Sequence, residues 1–395
     1  YAQRISSAGN VLWMTNGKAI CTETGDQRYP QICSDGTGGA IITWDDQRPP
    51  TPDIYAQKIN ATGSIQWTAN GTVICSASGN QWSPQLISDG SGGAIITWGP
   101  DYRAGIEIYA QRIRDNGSID SRWTANGEVI CSLSGSTPQI CSDGSGGAII
   151  TWFDNRPDPS SPDIYAQRIN EAGNIQWTVN GEAICTASLF QEDQQIIPDG
   201  AGGAFITWMD KRKGDLNRDI YVQKIDSTGN IYWGNGTPGD FNGMPICLGN
   251  GQQNKPKICS DGSGGAIIVW RDERAAFAEY DLYAQKINSM GNIQWKANGT
   301  AICTASDNQQ EAQICSDGSG DWIIIWQDRR SGEFDIYAYR MVPNFALLLL
   351  VMAMLMGVGE VPGLNTETWL IIGAVGGVGV IVLVTARAAK KKGKK

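Results

Sequence analysis

The chain has 395 residues and a formal net charge of −9, with only 18% of its residues charged. Arg387 and the lysines after it form a basic tail, so the body of the chain is more acidic than the total indicates. An acidic body without a basic stripe argues against nucleic-acid binding, which depends on neutralising phosphates. The many glycines and the 15 tryptophans favour a β-rich fold with tight turns over a helical one.

One sequence unit recurs through most of the chain. Each unit runs through P-Q-I-C, D-G-S-G-G, A-I-I-T-W, D-x-R and a variable loop to D-I-Y-A-Q-K-I, and it closes after N-G with A-I-C. The apolar stretches are short and bounded by Gly, Asn or Asp, which predicts an antiparallel meander of about four strands per unit. The landmark residues are Trp44, Trp98, Trp152, Trp208, Trp270 and Trp326, and Tyr1, Tyr55, Tyr109, Tyr165, Tyr221, Tyr283 and Tyr337.

Repeated small meanders bury both of their faces when they are arranged around an axis. The sequence therefore predicts an all-β fold for residues 1–341, a six-bladed β-propeller of ~54-residue repeats. A linear β-solenoid is the alternative. Six A-I-I-T-W strands stand against seven Y-A-Q strands, so we expect Tyr1 to lie inside an upstream blade or the parent protein to have more blades.

The unit D-G-x-G-G-A, W-x-D-x-R and D-I-Y-A-Q resembles the repeats of surface-anchored prokaryotic proteins with sialidase-type or kelch-like propellers. The resemblance covers Tyr1 to about Met341 and implies a fold more than an activity. Ser34, Asp35 and Gly36 are consecutive in this sequence, whereas the Asp-box of sialidases separates the equivalent residues.

Ten cysteines occupy fixed places in the repeat. Their pairing within four units predicts disulfides that each close a short loop, and the alternative is free, buried thiols. The predicted pairs are Cys21/Cys33, Cys131/Cys141, Cys247/Cys259 and Cys303/Cys315. The absence of histidine argues against a zinc site, and neither a metal nor a cofactor is predicted.

The C-terminal part predicts a membrane anchor. Residues 369–386 carry no charge, are long enough for a transmembrane helix, and precede a basic tail at 387–395, which places the repeats outside the cell and the tail in the cytoplasm. Residues 342–368 form a linker that contains the apolar segment Phe345–Val358, whose relation to the membrane stays open.

Candidate binding residues lie in the loops after the tryptophans. The Asp-x-Arg motif recurs in every unit, which favours a structural ion pair over a catalytic role, although a ring of arginines could also bind anions. The aromatic residues of the variable loops could stack on sugars or on partner side chains. The candidates are Arg48, Arg103, Arg156, Arg212, Arg274, Arg330, Tyr102, Phe241, Phe277 and Tyr280.

These observations support three hypotheses. The first is a non-catalytic binding or adhesion module at the cell surface, held by residues 369–386 and recognising an extracellular protein or glycan. The second is a sialidase-like, glycan-processing enzyme. The third is a structural component of the cell envelope. Two carboxylates in unlike surroundings within a central pocket would favour the enzyme.

Overall fold

The computed structural model describes residues 1–48, 51–99, 107–156, 161–214, 216–234, 241–276, 279–342, 369–375 and 378–384. Contacts divide the chain into two units, Tyr1–Met341 and Val342–Lys395. The first unit contains six antiparallel sheets, five of four strands and one of three. It is all-β and consistent with a β-propeller, which confirms the predicted fold class at that level.

The strands follow one another in each sheet in chain order, from the inner first strand outwards. The first sheet is β1 (Gln27–Ser34), β2 (Ala40–Asp46), β3 (Asp53–Ile59) and β4 (Thr72–Cys75); the second is β5 (Trp82–Ser88), β6 (Ala94–Gly99), β7 (Ile108–Ile113) and β8 (Glu128–Cys131); the third is β9 (Gly135–Ser142), β10 (Ala148–Asp154), β11 (Asp163–Ile169) and β12 (Glu182–Cys185). The fourth is β13 (Gln191–Pro198), β14 (Ala204–Asp210), β15 (Asp219–Ile225) and β16 (Met244–Cys247); the fifth is β17 (Gln253–Ser260), β18 (Ala266–Ala276), β19 (Glu279–Ile287) and β20 (Thr300–Cys303); the sixth is β21 (Gln309–Ser316), β22 (Trp322–Asp328) and β23 (Asp335–Met341).

The D-G-S-G-G turns are held by the aspartate side chain. In the first sheet, Asp35 accepts hydrogen bonds from the backbone amides of Thr37 and Gly39, each at 2.8 Å. Gly36 and Gly38 have positive φ angles, which glycine adopts without the steric cost of a Cβ atom. Turn geometry therefore accounts for this motif without a bound calcium ion.

Each sheet packs on the next one in the chain. We call the face of a sheet that points to the following sheet its forward face and the opposite one its rear face. Between the first two sheets, the forward residues Ile41 and Ile54 share a buried cluster with the rear residues Ile96 and Trp98. The same arrangement recurs from sheet to sheet, so the four middle sheets are covered on both faces.

The structure does not support the predicted disulfides, because all ten cysteines are free. In the first predicted pair, Cys33 lies opposite Ile41, at one end of β2, whereas the Cys21 Sγ atom is 3.8 Å from Asp46, at the other end. Five residues of strand span about 16 Å, well beyond the reach of a disulfide. The same separation applies to the three other pairs, Cys131/Cys141, Cys247/Cys259 and Cys303/Cys315.

The second unit is described at two strands, β24 (Trp369–Val375) and β25 (Val378–Val384), which pair antiparallel. Within the described residues, no helix has the length and apolar character needed to cross a membrane. The rest of the predicted anchor and the apolar segment Phe345–Val358 lie outside the described residues. The anchor and its orientation therefore stay predictions.

Candidate active site at the inner-strand bulges

The arginines of the Asp-x-Arg motif are engaged inside the protein. In the fourth sheet, the Arg212 guanidinium donates to Asp210 at 2.6 Å and to the Asn242 carbonyl at 2.8 Å, and it stacks over the Tyr221 ring at 3.9 Å. Asp210 also accepts a hydrogen bond from Trp208 Nε1 at 2.8 Å. The ion pair and the ring contact recur at Arg48, Arg156, Arg274 and Arg330.

The other predicted binding residues do not come together. Tyr280 lies on β19 under the Arg271 guanidinium, 4.4 Å from its ring centre, and Phe241 is a half-exposed residue of the fourth sheet. Tyr102, Arg103 and Phe277 lie outside the described residues. The described loop candidates therefore form no single site.

A different feature varies from sheet to sheet. Each inner strand contains a β-bulge, where two of its residues lie opposite the tryptophan of the second strand. The first bulged residue is never glycine, yet its φ angle is positive in every sheet. These residues are Tyr29, Ser83, Thr137, Asp193, Lys255 and Glu311.

A positive φ angle costs a non-glycine residue about 1–3 kcal/mol, and such strain and bulges both concentrate at functional sites. The side chains at these six positions differ in size and charge, although the surrounding repeat is nearly constant. Sequence analysis missed them because it searched the loops for variation. Aligning the units on P-Q would have revealed the variable residue just before that motif.

A cavity of about 230 Å³ lies beside the bulges of the third and fourth sheets. It is lined by Thr137, Gln139, Phe153, Glu192, Asp193, Gln194 and Gln195. The buried Gln194 amide joins the two sheets by donating to the Thr137 carbonyl at 2.7 Å. The cavity therefore has a fixed wall and two carboxylates, Glu192 and Asp193.

The two carboxylates have different partners. Glu192 lies 3.1 Å from Lys211 Nζ, which also sits over the Phe190 ring at 4.7 Å. Asp193 accepts a hydrogen bond from Lys255 Nζ at 2.8 Å, across to the bulge of the fifth sheet. Adjacent carboxylates in unlike surroundings are a prerequisite for separate acid and base roles.

A further lysine lies next to this pair. Lys257 Nζ is 3.4 Å from the Gln195 Oε1 atom, which lines the cavity. Burial lowers the pKa of Lys257, while Asp193 and Glu311 partly oppose that effect. The bulges of the fourth, fifth and sixth sheets thus supply a cluster of acids and bases that the repeat does not copy elsewhere.

No protein-family model matches the sequence, and no curated protein matches it. Solved structures do resemble the fold. An α-L-arabinanase of Penicillium chrysogenum is 12% identical over 64% of this chain and 79% of its own, with a TM-score of 0.40. An α-L-arabinofuranosidase of Fusarium graminearum is 12% identical over 84% of this chain and 97% of its own, with a TM-score of 0.41. The leech intramolecular trans-sialidase is 11% identical over 84% of this chain and 71% of its own, with a TM-score of 0.43.

These neighbours contradict the prediction of a non-catalytic binding or adhesion module, because they are enzymes that act on glycans. The alternative of a glycan-processing enzyme agrees with them better. Their likeness concerns the β-propeller fold, and it confirms neither the predicted repeat family nor any substrate.

Proposed function

We propose that the protein hydrolyses glycosidic bonds at the cavity beside the third and fourth sheets, with Glu192 and Asp193 as its two carboxylates. The observation that carries the proposal is that both carboxylates line one cavity and have different cationic partners. Glycosidases generally need one carboxyl group to protonate the leaving oxygen and a second one to attack the sugar or to activate water.

The ion pairs suggest how the two roles are divided. Asp193 is the carboxylate that stays ionised, because Lys255 donates to it at 2.8 Å and Lys257 lies nearby. We assign proton donation to Glu192, whose lysine partner is at the longer distance of 3.1 Å. The amide side chains of Gln139 and Gln195 line the same cavity and offer both donors and acceptors to sugar hydroxyls.

The proposal is tested with a panel of chromogenic glycosides and the Glu192→Gln and Asp193→Asn variants. Loss of one catalytic carboxyl lowers turnover by about 10²–10⁴-fold. Glu333→Gln serves as the control, because Glu333 is an exposed residue of the sixth sheet's last loop. Turnover that survives both cavity substitutions would assign the activity to another site, and a wild-type protein inactive on the whole panel would count against hydrolysis.

We also propose that residues 369–386 hold the protein at a membrane with the sheets outside and residues 387–395 in the cytoplasm. The uncharged segment followed by the basic tail supports this orientation. Protease treatment of intact cells should digest the sheets and spare an epitope at the C-terminus. An epitope digested together with the sheets would contradict this orientation.

A further inference from the structure

The first and sixth sheets each leave one face open. Ile336 on the forward face of the sixth sheet is 72% exposed, whereas Ile54, Ile108, Ile164, Ile220 and Leu282 occupy the same position in the other sheets and are fully buried. On the rear face of the first sheet, Ile32 is 62% exposed, although its counterparts are half-buried. Both faces thus carry the apolar residues of a sheet-to-sheet interface without its partner.

The segment Tyr1–Cys21 has the structure of the outer half of a sheet. The Gln3 side chain donates to the Met14 carbonyl at 2.7 Å and accepts from the Trp13 amide at 3.1 Å, as Gln57 does with Thr68 and Trp67. The segment covers the outer part of the first sheet's rear face in the way that the outer strands of a complete sheet do.

Two contacts fix that similarity. Trp13 Nε1 donates to the Ala61 carbonyl at 3.2 Å, matching the bond of Trp67 to the next sheet. Arg48 donates to Cys21 Sγ at 3.4 Å, and Arg212 does the same to Cys185 at 3.2 Å. The segment is therefore packed as an outer half, and the inner half that should accompany it is not beside it among the described residues.

The sixth sheet provides the missing inner half. It has the first three strands and lacks a fourth. Its third strand, β23, carries Tyr339 at the place where the other five sheets and the N-terminal segment carry the glutamine that organises the turn to the fourth strand. An outer half built on β23 would lack this glutamine, whereas one built on Tyr1–Ile5 would keep it.

We propose that β21 and β22 combine with Tyr1–Cys21 to form one complete sheet that closes the six sheets into a ring within a single chain. Tyr1–Ile5 then pairs with β22 in place of β23, with Ala2 opposite Ile325, as Ala56 lies opposite Thr43 in the first sheet. The rear face around Ile32 covers the forward face of β21 and β22. Closure within one chain leaves no open face, whereas head-to-tail association leaves one at each end of the assembly.

Thiol labelling of the full chain in mild detergent tests the closure. Cys315 lies on the open forward face and is exposed, while its counterpart Cys259 in the fifth sheet is half-buried. In the closed ring the two thiols are covered alike, so we expect their labelling rates, measured by mass spectrometry of the peptides, to agree within about threefold. Ile32→Asp places a charge on the closing face and should accelerate labelling of Cys315 at least tenfold without changing that of Cys259.

Val179→Asp is the control, because Val179 is 78% exposed and lies on the third sheet. Hydrogen exchange gives the second measurement, since closure protects the amides of Tyr1–Ile5 and releases those of β23. Rapid labelling of Cys315 in the wild type that Ile32→Asp leaves unchanged would overturn the proposal. Labelling that accelerates on dilution would also overturn it, because a second copy would then cover the face.

Discussion

The Asp210→Ala substitution tests the charge network that each sheet repeats. Asp210 is fully buried and binds Trp208 Nε1, the Arg212 amide and two nitrogens of its guanidinium at 2.6–2.9 Å. Its removal leaves a guanidinium that is only 14% exposed, and breaking a buried pair in this way costs about 3–5 kcal/mol. An unpaired indole N–H adds about 1 kcal/mol or more. Because Arg212 keeps the Asn242 carbonyl, we expect a total near the middle of this range, about 4 kcal/mol.

Asp328→Ala is the matched control in the sixth sheet. Its partner Arg330 is 33% exposed, so water can solvate the freed guanidinium, and we expect a smaller loss of about 1–2 kcal/mol. Urea denaturation followed by far-ultraviolet circular dichroism measures both losses in the free energy of unfolding. Equal losses in the two variants, or a loss below about 1 kcal/mol for Asp210→Ala, would refute the assignment of the network as a buried stabilising element.

Three further predictions follow from the same contacts. Gly127→Ala should lower the thermal midpoint more than Gly144→Ala, because Gly127 has a φ of +109° and a Cβ there would lie 2.8 Å from Trp98, whereas Gly144 has open space; equal shifts would contradict this steric argument. Burial and the nearby Asp154 raise the pKa of Asp163 to about 6, so the folded wild type takes up this proton first and loses stability as pH rises from about 4 to 6; Asp163→Asn should remove that loss in urea titrations, and an unchanged pH profile would contradict it. Alkylation of the denatured protein without a reductant should modify ten cysteines, and fewer adducts would indicate disulfides.

The sequence predicted the repeated framework because local chemistry determines it. Glycines in D-G-S-G-G, the Asn70–Gly71 turn and the alternation of apolar residues define hairpins without reference to distant residues. It could not predict the cysteine geometry, because Cys21 and Cys33 are close in sequence but lie at opposite ends of β2. Spacing alone does not show which end of a strand a residue reaches.

The candidate site was missed for a related reason. Asp193 lies in a strand segment whose P-Q neighbours in other units suggest a regular inner strand. The bulge that turns its side chain towards Lys255 appears only when β13 is paired with β14 and has to accommodate Trp208. A site formed by register and by contacts between sheets leaves no contiguous motif in the sequence.

Repetition and a single active site are compatible in this fold because they involve different residues of the same strands. Trp208 lies opposite the bulge that carries Asp193, and the buried pair of Asp210 and Arg212 fixes that tryptophan through its indole nitrogen. The constant network thus supports the strand beside a bulged residue that is free to differ between units. It follows that Asp210→Ala should also reduce any glycosidase activity that depends on Asp193, while Asp328→Ala, two sheets away, should leave that activity near the wild-type value. The repeated charges then act as positioning groups, and the chemistry belongs to the residues that the repeat does not copy.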